Sequence, residues 1–175
     1  GIEFDAKWKI SPLVDLEGML TLGNYEYGSD VTDSNVTNNS GQSIGSATLY
    51  LDGEKVCTTA HKTARLNLTV NPSDKFKFNL SLFHADDIFG TVNTEDFQDP
   101  EDTTMQLPAY ELFDFGSSYT LSIGGKDVYL RLNINNIFDE EYYYMSRNNV
   151  FASPGEPTYK GIPLNAKVFP GWGRT

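Results

Sequence analysis

Stretches of alternating apolar and polar residues recur along this chain, and the links between them are short and long by turns. Residues 2–10 are the cleanest case. Ile2, Phe4, Ala6, Trp8 and Ile10 share one face, and Glu3, Asp5, Lys7 and Lys9 share the other. A period of two marks a strand whose faces meet different surroundings. A return strand follows from about Asp15 to Tyr27, with Leu16, Gly18, Leu20 and Leu22 on the apolar side. A third over 61–70 places Ala64, Leu66, Leu68 and Val70 opposite Thr63, Arg65, Asn67 and Thr69. A fourth places Phe76, Phe78, Leu80 and Leu82 opposite Lys75, Lys77, Asn79 and Ser81. Residues 108–144 read as a hairpin turning at Gly124-Gly125-Lys126-Asp127, where glycine supplies the positive φ of a tight turn. Its first arm sets Phe113, Phe115, Tyr119 and Leu121 against Asp114, Gly116, Ser118 and Thr120. Its second sets Val128, Leu130, Leu132 and Ile134 against Tyr129, Arg131, Asn133 and Asn135.

Short links fall at 11–14, 71–74 and 124–127, and long ones at 28–60, 85–107 and 145–168. A soluble sandwich would also alternate, but has no reason to sort its connections by length. An outer-membrane barrel does: short turns face the periplasm, long loops face outward, apolar side chains meet lipid and polar ones meet a wet lumen. Two features of the long segments are expected from composition. GSDVTDSNVTNNSGQS (28–43) is too polar to pack a core, and ATLYLDGEKV is expected to form a small hairpin around Asp52-Gly53.

Composition narrows the functions. The chain has 175 residues, a net charge of −11 and a mean hydropathy of −0.40. No apolar run approaches the ~20 residues of a spanning helix, whereas alternating strands dilute hydropathy and leave a barrel open. Acidity without a basic stripe speaks against nucleic acid. A single cysteine, Cys57, excludes an intrachain disulfide framework. His61 and His84 lack partners at catalytic or metal-binding spacing. No nucleophile motif or phosphate loop occurs, so an enzyme is not expected and no cofactor is implied. The four Asn-x-Ser/Thr matches carry no meaning in such a protein.

Three segments resemble a known family. Asn-Asn-Ile-Phe-Asp-x-x-Tyr (Asn135 to Tyr142), Pro-x-Tyr-x-Leu-Phe-Asp (Pro108 to Asp114) and Pro-Gly-x-x-Arg-Thr (Pro170 to Thr175) are similar to the C-terminal barrel region of TonB-dependent outer-membrane receptors. Gly1-Ile2-Glu3-Phe4 and Leu49-Tyr50-Leu51-Asp52-Gly53 resemble the same family more weakly. The resemblance implies an all-β, antiparallel transmembrane β-barrel of 22 strands. Residues 1–175 would supply about six strands and the start of the closing one, with the plug domain and last strand absent. Gly1 opens without a leader, so the start of a longer protein is expected to be missing. The implied activity is capture of a scarce nutrient at the surface of a Gram-negative cell, then uptake driven through TonB. The nutrient would be a siderophore, haem, cobalamin, glycan or peptide. The implied partners are outer-membrane lipid, TonB through an N-terminal segment outside this chain and, in some members, a capping surface lipoprotein. A passive porin or adhesin barrel and a soluble β-sandwich binding module are the alternatives.

Candidate functional residues follow from the facing pattern. Glu3, Asp5, Lys7, Lys9, Arg65, Asn67, Lys77, Asn79, Arg131, Asn133 and Asn135 are expected to face the lumen. Tyr50, Phe89, Phe97, Phe151 and Tyr159 are expected in the long loops, where they would line a ligand surface or pack the loops together. Asp96, Asp99, Glu101 and Asp102 make the best oxygen-ligand cluster for Ca²⁺, though without the spacing of a dedicated calcium loop.

Overall fold

A computed structural model describes residues 1–57, 59–91, 97–147, 149, 155 and 157–175. Its strands are β1 (Ile2–Ser11), β2 (Val14–Leu22), β3 (Val31–Thr37), β4 (Ser43–Leu49), β5 (Ala60–Ser73), β6 (Phe76–Phe89), β7 (Gln106–Leu107), β8 (Tyr110–Ile123), β9 (Lys126–Ile134), β10 (Tyr143–Ser146), β11 (Thr158–Tyr159), β12 (Ile162–Pro163) and β13 (Val168–Pro170). No helix occurs among the described residues. The main sheet is an antiparallel meander in the order β1-β2-β5-β6-β8-β9, with β7 added at the far end of β6. It is open, with β1 and β9 as its edges.

The register carries the alternation across the whole sheet. Trp8, Leu16, Leu68, Leu80, Phe115 and Ile134 lie side by side, one from each strand. The row on one side of it (Ala6, Gly18, Leu66, Leu82, Phe113) is also apolar, and the row on the other (Val14, Val70, Phe78, Leu132) is broken only by Ser117, so one face of the sheet is a broad hydrophobic wall. Ile2, Phe4 and Trp8 are each more than 60% exposed. A contiguous apolar face of this extent marks a surface that belongs against another apolar phase. Toward the short turns, Phe76 packs against Phe78 and Tyr119 in an aromatic cluster, the composition of an interfacial girdle.

The short turns are tighter than the sequence suggests. Gly124 and Gly125 (φ 58° and 77°) form a two-residue turn. The turn expected at 71–74 sits at Asp74-Lys75, because β5 runs on to Ser73 through a register shift after Val70. β5 and β6 also continue well past the apolar rows, where outward positions turn charged or polar: Lys62 beside Asp86, and Ala64 beside His84 beside Glu111.

The first long connection holds a hairpin where the sequence did not place one. The polar run joins neither core, yet it supplies β3, which pairs with β4 around a turn at Asn38–Gln42. Asn38 Oδ1 accepts the amides of Ser40 and Gln42, each at 3.0 Å. The hairpin therefore lies one connection earlier than expected. Asp52-Gly53 is instead a simple turn returning the chain toward Tyr27, with Gly53 N donating to Tyr27 O at 2.9 Å.

Two small cores sit at the long-loop end. Ala85, Ile88, Met105, Leu107 and Ile162 form one; Leu49, Leu51 and Phe97 form the other. Polar stitches join the three long connections. Thr104 donates through N and Oγ1 to Glu54 Oε2 (2.7 and 2.6 Å), Met105 N donates to Asn149 Oδ1 (2.6 Å), and Thr91 Oγ1 donates to Ser146 O (2.5 Å). His61, 1% exposed, is saturated: Nε2 donates to Val56 O at 2.8 Å and Nδ1 accepts the Tyr25 amide at 3.4 Å.

Candidate functional site: the polar face and the loop cluster

Opposite the apolar wall, each strand offers its polar positions to one shared surface. Lys7, Glu17, Asn67, Ser81 and Asp114 form one row. Lys9, Asp15, Thr69, Asn79, Gly116 and Asn133 form the next. Lys7 pairs with Glu17 across β1 and β2. Arg65 lies over the ring of Phe83, 6.0 Å from its centroid, a cation–π arrangement. Gly116 is glycine for space: a Cβ there would collide with the Asn79 carboxamide, which lies across it.

Lys7 and Asp5 line one hollow of this surface with Glu17, Arg65 and Asn67. A second hollow of about 330 Å³ brings Arg65, Asn67, Asn79, Asn133 and Asn135 together with Asp114. Lys9 and Lys77 stand nearer the short turns, and Arg131 borders Lys77 and Asn79. Glu3 lies toward the long loops, opposite Thr21. Glu17 and Asp114 complete the hollows; Asp114 is on the polar side of the hairpin in the sequence reading, and Glu17, though at a polar position of its strand, is not among the expected lumen residues. Phe83, Leu112 and Met19 interrupt the polar face near its upper end, where alternation alone would place hydrophilic groups.

The loop aromatics have separate fates. Phe97 has no exposed surface, and its carbonyl accepts the Tyr50 amide at 2.8 Å. Phe89 is buried against His61 at a centroid distance of 5.0 Å. Both therefore pack the loops rather than offer a free surface. Tyr50 and Tyr159 remain exposed. Phe151 and Asp96 lie outside the described residues. Asp99 serves a turn, its carboxylate accepting the Glu101 amide and its carbonyl the Asp102 amide. No three potential metal-ligating side chains of the His, Cys, Asp or Glu kind converge among the described residues.

Glu141 organises the outer end. One carboxylate oxygen accepts Tyr143 OH at 2.7 Å and the other accepts Tyr159 OH at 2.9 Å. The two phenols hold this carboxyl below its ordinary range. The same carboxylate pushes the Tyr143 phenol up to about 12, with burial adding a smaller share, and also raises Tyr159.

The three motifs of the sequence resemblance meet in one place. Asp114 Oδ1 accepts the Asn136 amide at 2.8 Å. Asn136, 3% exposed with φ 50°, exchanges hydrogen bonds with the Glu140 backbone and donates Nδ2 to Trp172 O at 3.2 Å. Asp139 Oδ1 accepts the Arg174 amide at 2.8 Å. Gly171 N donates to Tyr142 O at 2.8 Å, and a Cβ at Gly171 would fall inside the Tyr142 ring. Tyr142 in turn stacks on Tyr110, 4.4 Å between centroids.

Comparisons with known proteins agree with this architecture. No family model matches the chain. Over 84 residues it is 37% identical to the metal-pseudopaline receptor CntO, found alike in two strains of Pseudomonas aeruginosa; the match spans 47% of this chain and 11% of that protein. The fold is similar to the crystal structure of the siderophore receptor PiuA from Acinetobacter baumannii. That similarity has a TM-score of 0.61 at 16% identity, over 98% of this chain and 20% of that one. Motif order, sequence match and fold match point the same way: over about half its length the chain is similar in sequence to a metal-pseudopaline receptor, it shares the fold of part of a siderophore receptor, and it spans only 11% and 20% of those two proteins.

Proposed function

We propose that this chain is the C-terminal part of the barrel of an outer-membrane receptor that captures a metal chelate at the cell surface and imports it with energy delivered through TonB. The observation carrying the reading is the two-faced sheet: an unbroken apolar row from Trp8 to Ile134 behind a polar face of paired and hydrogen-bonding side chains. Lipid is the natural partner of the first face and a hydrated, plugged lumen of the second. The lumen residues would be Glu3, Asp5, Lys7, Lys9, Arg65, Asn67, Lys77, Asn79, Arg131, Asn133 and Asn135, while Tyr50 and Tyr159 would stand at the mouth. A metal chelate is favoured over haem, cobalamin, glycan or peptide because both similar proteins are named for chelate ligands. The barrel wall itself performs no bond chemistry. Its task is to hold the loops outside and the transport path within.

The test uses the full-length receptor in a strain lacking its own copy, grown under metal limitation with purified ferric and zinc chelates supplied singly. Uptake of at least one chelate should depend on the receptor. Removing the N-terminal TonB-contacting segment should abolish uptake while surface binding persists. Uptake that survives this removal would refute energisation through TonB and favour a passive channel.

A further inference from the structure

We propose that the bulge between Asn135 and Tyr142 is a register latch. Its side chains take over two rungs of a β-ladder, and so fix how the strand after Pro170, and the chain that continues it, pairs along β9. This rests on the reading of the chain as part of a longer barrel.

On one side of the bulge, β10 pairs with β13: Ser146 opposite Val168, Met145 opposite Phe169, Tyr143 opposite Pro170. Gly171 N to Tyr142 O extends that ladder. On the other side, Asn135 and Thr175 exchange both backbone hydrogen bonds, at 2.8 and 3.2 Å. Seven steps of chain from Asn135 to Tyr142 thus lie opposite only four from Gly171 to Thr175. The extra length loops away, and backbone rungs are missing there.

The missing rungs are made by side chains. Asn136 Nδ2 donates to Trp172 O, as a backbone amide would, and Asp139 Oδ1 accepts from Arg174 N, as a carbonyl would. The bulge is itself pinned to β8: Ile137 N donates to Phe113 O at 2.7 Å, and Asp114 Oδ1 holds the Asn136 amide. Asn136 and Asp139 both have positive φ, 50° and 58°, a conformation Asn and Asp tolerate better than most residues. The side chain of Asn135 adds a bond to Thr175 Oγ1 at 3.1 Å.

Register matters here because a slip of one residue exchanges the two faces of a strand, placing polar groups in lipid. From the Asn135–Thr175 pair, an antiparallel strand continues with the second residue after Thr175 opposite Asn133 and the fourth opposite Arg131. The occupant of the free edge of β9 is therefore the receptor's own continuing chain. The Asn135–Thr175 pairing already begins that interface.

The experiment is disulfide mapping of the full receptor in outer-membrane vesicles, with Cys57→Ser as background. Three cysteine pairs are compared: Met145→Cys with Phe169→Cys, Asn135→Cys with Thr175→Cys, and Asn133→Cys with a cysteine two residues past Thr175. Directly opposed residues are close enough to bridge, so all three should link. Asn136→Gly with Asp139→Gly retains the backbone freedom and deletes both rungs. The second and third links should then fall on the order of tenfold relative to the first. Unchanged second and third links would overturn the latch. Should the double glycine variant fail to assemble, Asn136→Asp, which keeps an acceptor for the Glu140 amide but loses the Nδ2 donor to Trp172 O and Glu140 O, reads the same ratio. Failure of the barrel reading looks different: the first two links form, but the protein stays in buffer without detergent.

Discussion

The carboxamide of Asn136 donates to the carbonyl of Trp172 across 36 positions of sequence. Through it, the residues that terminate β9 reach those that follow β13. Three short motifs, unremarkable singly, thereby become one knot.

Gly171 tests how tightly that knot is drawn. The Tyr142 ring occupies the space a Cβ would need. Gly171→Ala should destabilise the folded receptor by about 1–3 kcal/mol, the usual cost of overpacking. Urea unfolding from lipid vesicles would read it, and Tyr142→Ala in the same chain should recover most of the loss.

On the polar face, Gly116 and Asn79 make a similar pair. Gly116→Ala forces the Asn79 carboxamide aside, and a loss of about 1 kcal/mol is expected. In Asn79→Ala the same substitution should be nearly neutral. A double-mutant cycle in vesicles measures the coupling directly.

The two faces predict opposite tolerances for charge. Leu80→Arg, in the middle of the apolar row, should cost about 2–4 kcal/mol in a bilayer. Ser81→Arg, one residue on and facing the polar side, should cost far less. Equal costs for the two would contradict the assignment of lipid to the apolar face.

Tyr143 should resist ionisation. Absorbance of tyrosinate during an alkaline titration should include a phenol titrating near 12, which returns toward the ordinary range in Glu141→Gln. The sign follows from linkage. A raised phenol pKa means this contact is fully present below about 10 and is lost as pH rises through about 12. The lowered Glu141 carboxyl contributes from its unfolded pKa upward and fades as pH falls through its folded value.

His61 should behave as a loop anchor. His61→Leu strands the Val56 carbonyl and the Tyr25 amide without their partners, at about 1–3 kcal/mol for a buried group left unsatisfied. Proteolysis between 50 and 60 should accelerate first, since the loss is local.

Much of this was legible before any coordinates. Alternation in β1, β5, β6 and β9 grouped the residues that share each face, because a strand's side chains point to opposite sides in turn. The β3–β4 hairpin was not legible. Thr, Ser, Asn and Asp show no hydrophobic period there, and backbone pairing with a turn on Asn38 supplies what patterning does not. Phe97 and Phe89 were visible as aromatics, but only packing shows whether a ring faces ligand or core. The latch was hidden for a related reason. Asn136 and Asp139 announce a motif, yet their partners Trp172 and Arg174 come close only once the strand after β13 lies beside β9.

The extra length of β5 and β6 has a consequence for where recognition begins. Past Leu82 the outward positions of β6 turn polar at His84 and Asp86, yet the strand runs on to Phe89. At about 3.3 Å per residue and a tilt near 40°, those added residues rise on the order of 15–20 Å. With lipid against the apolar face, as proposed, the loop cluster would sit on a raised collar clear of the headgroups, and a ligand arriving from the medium would meet protein before membrane.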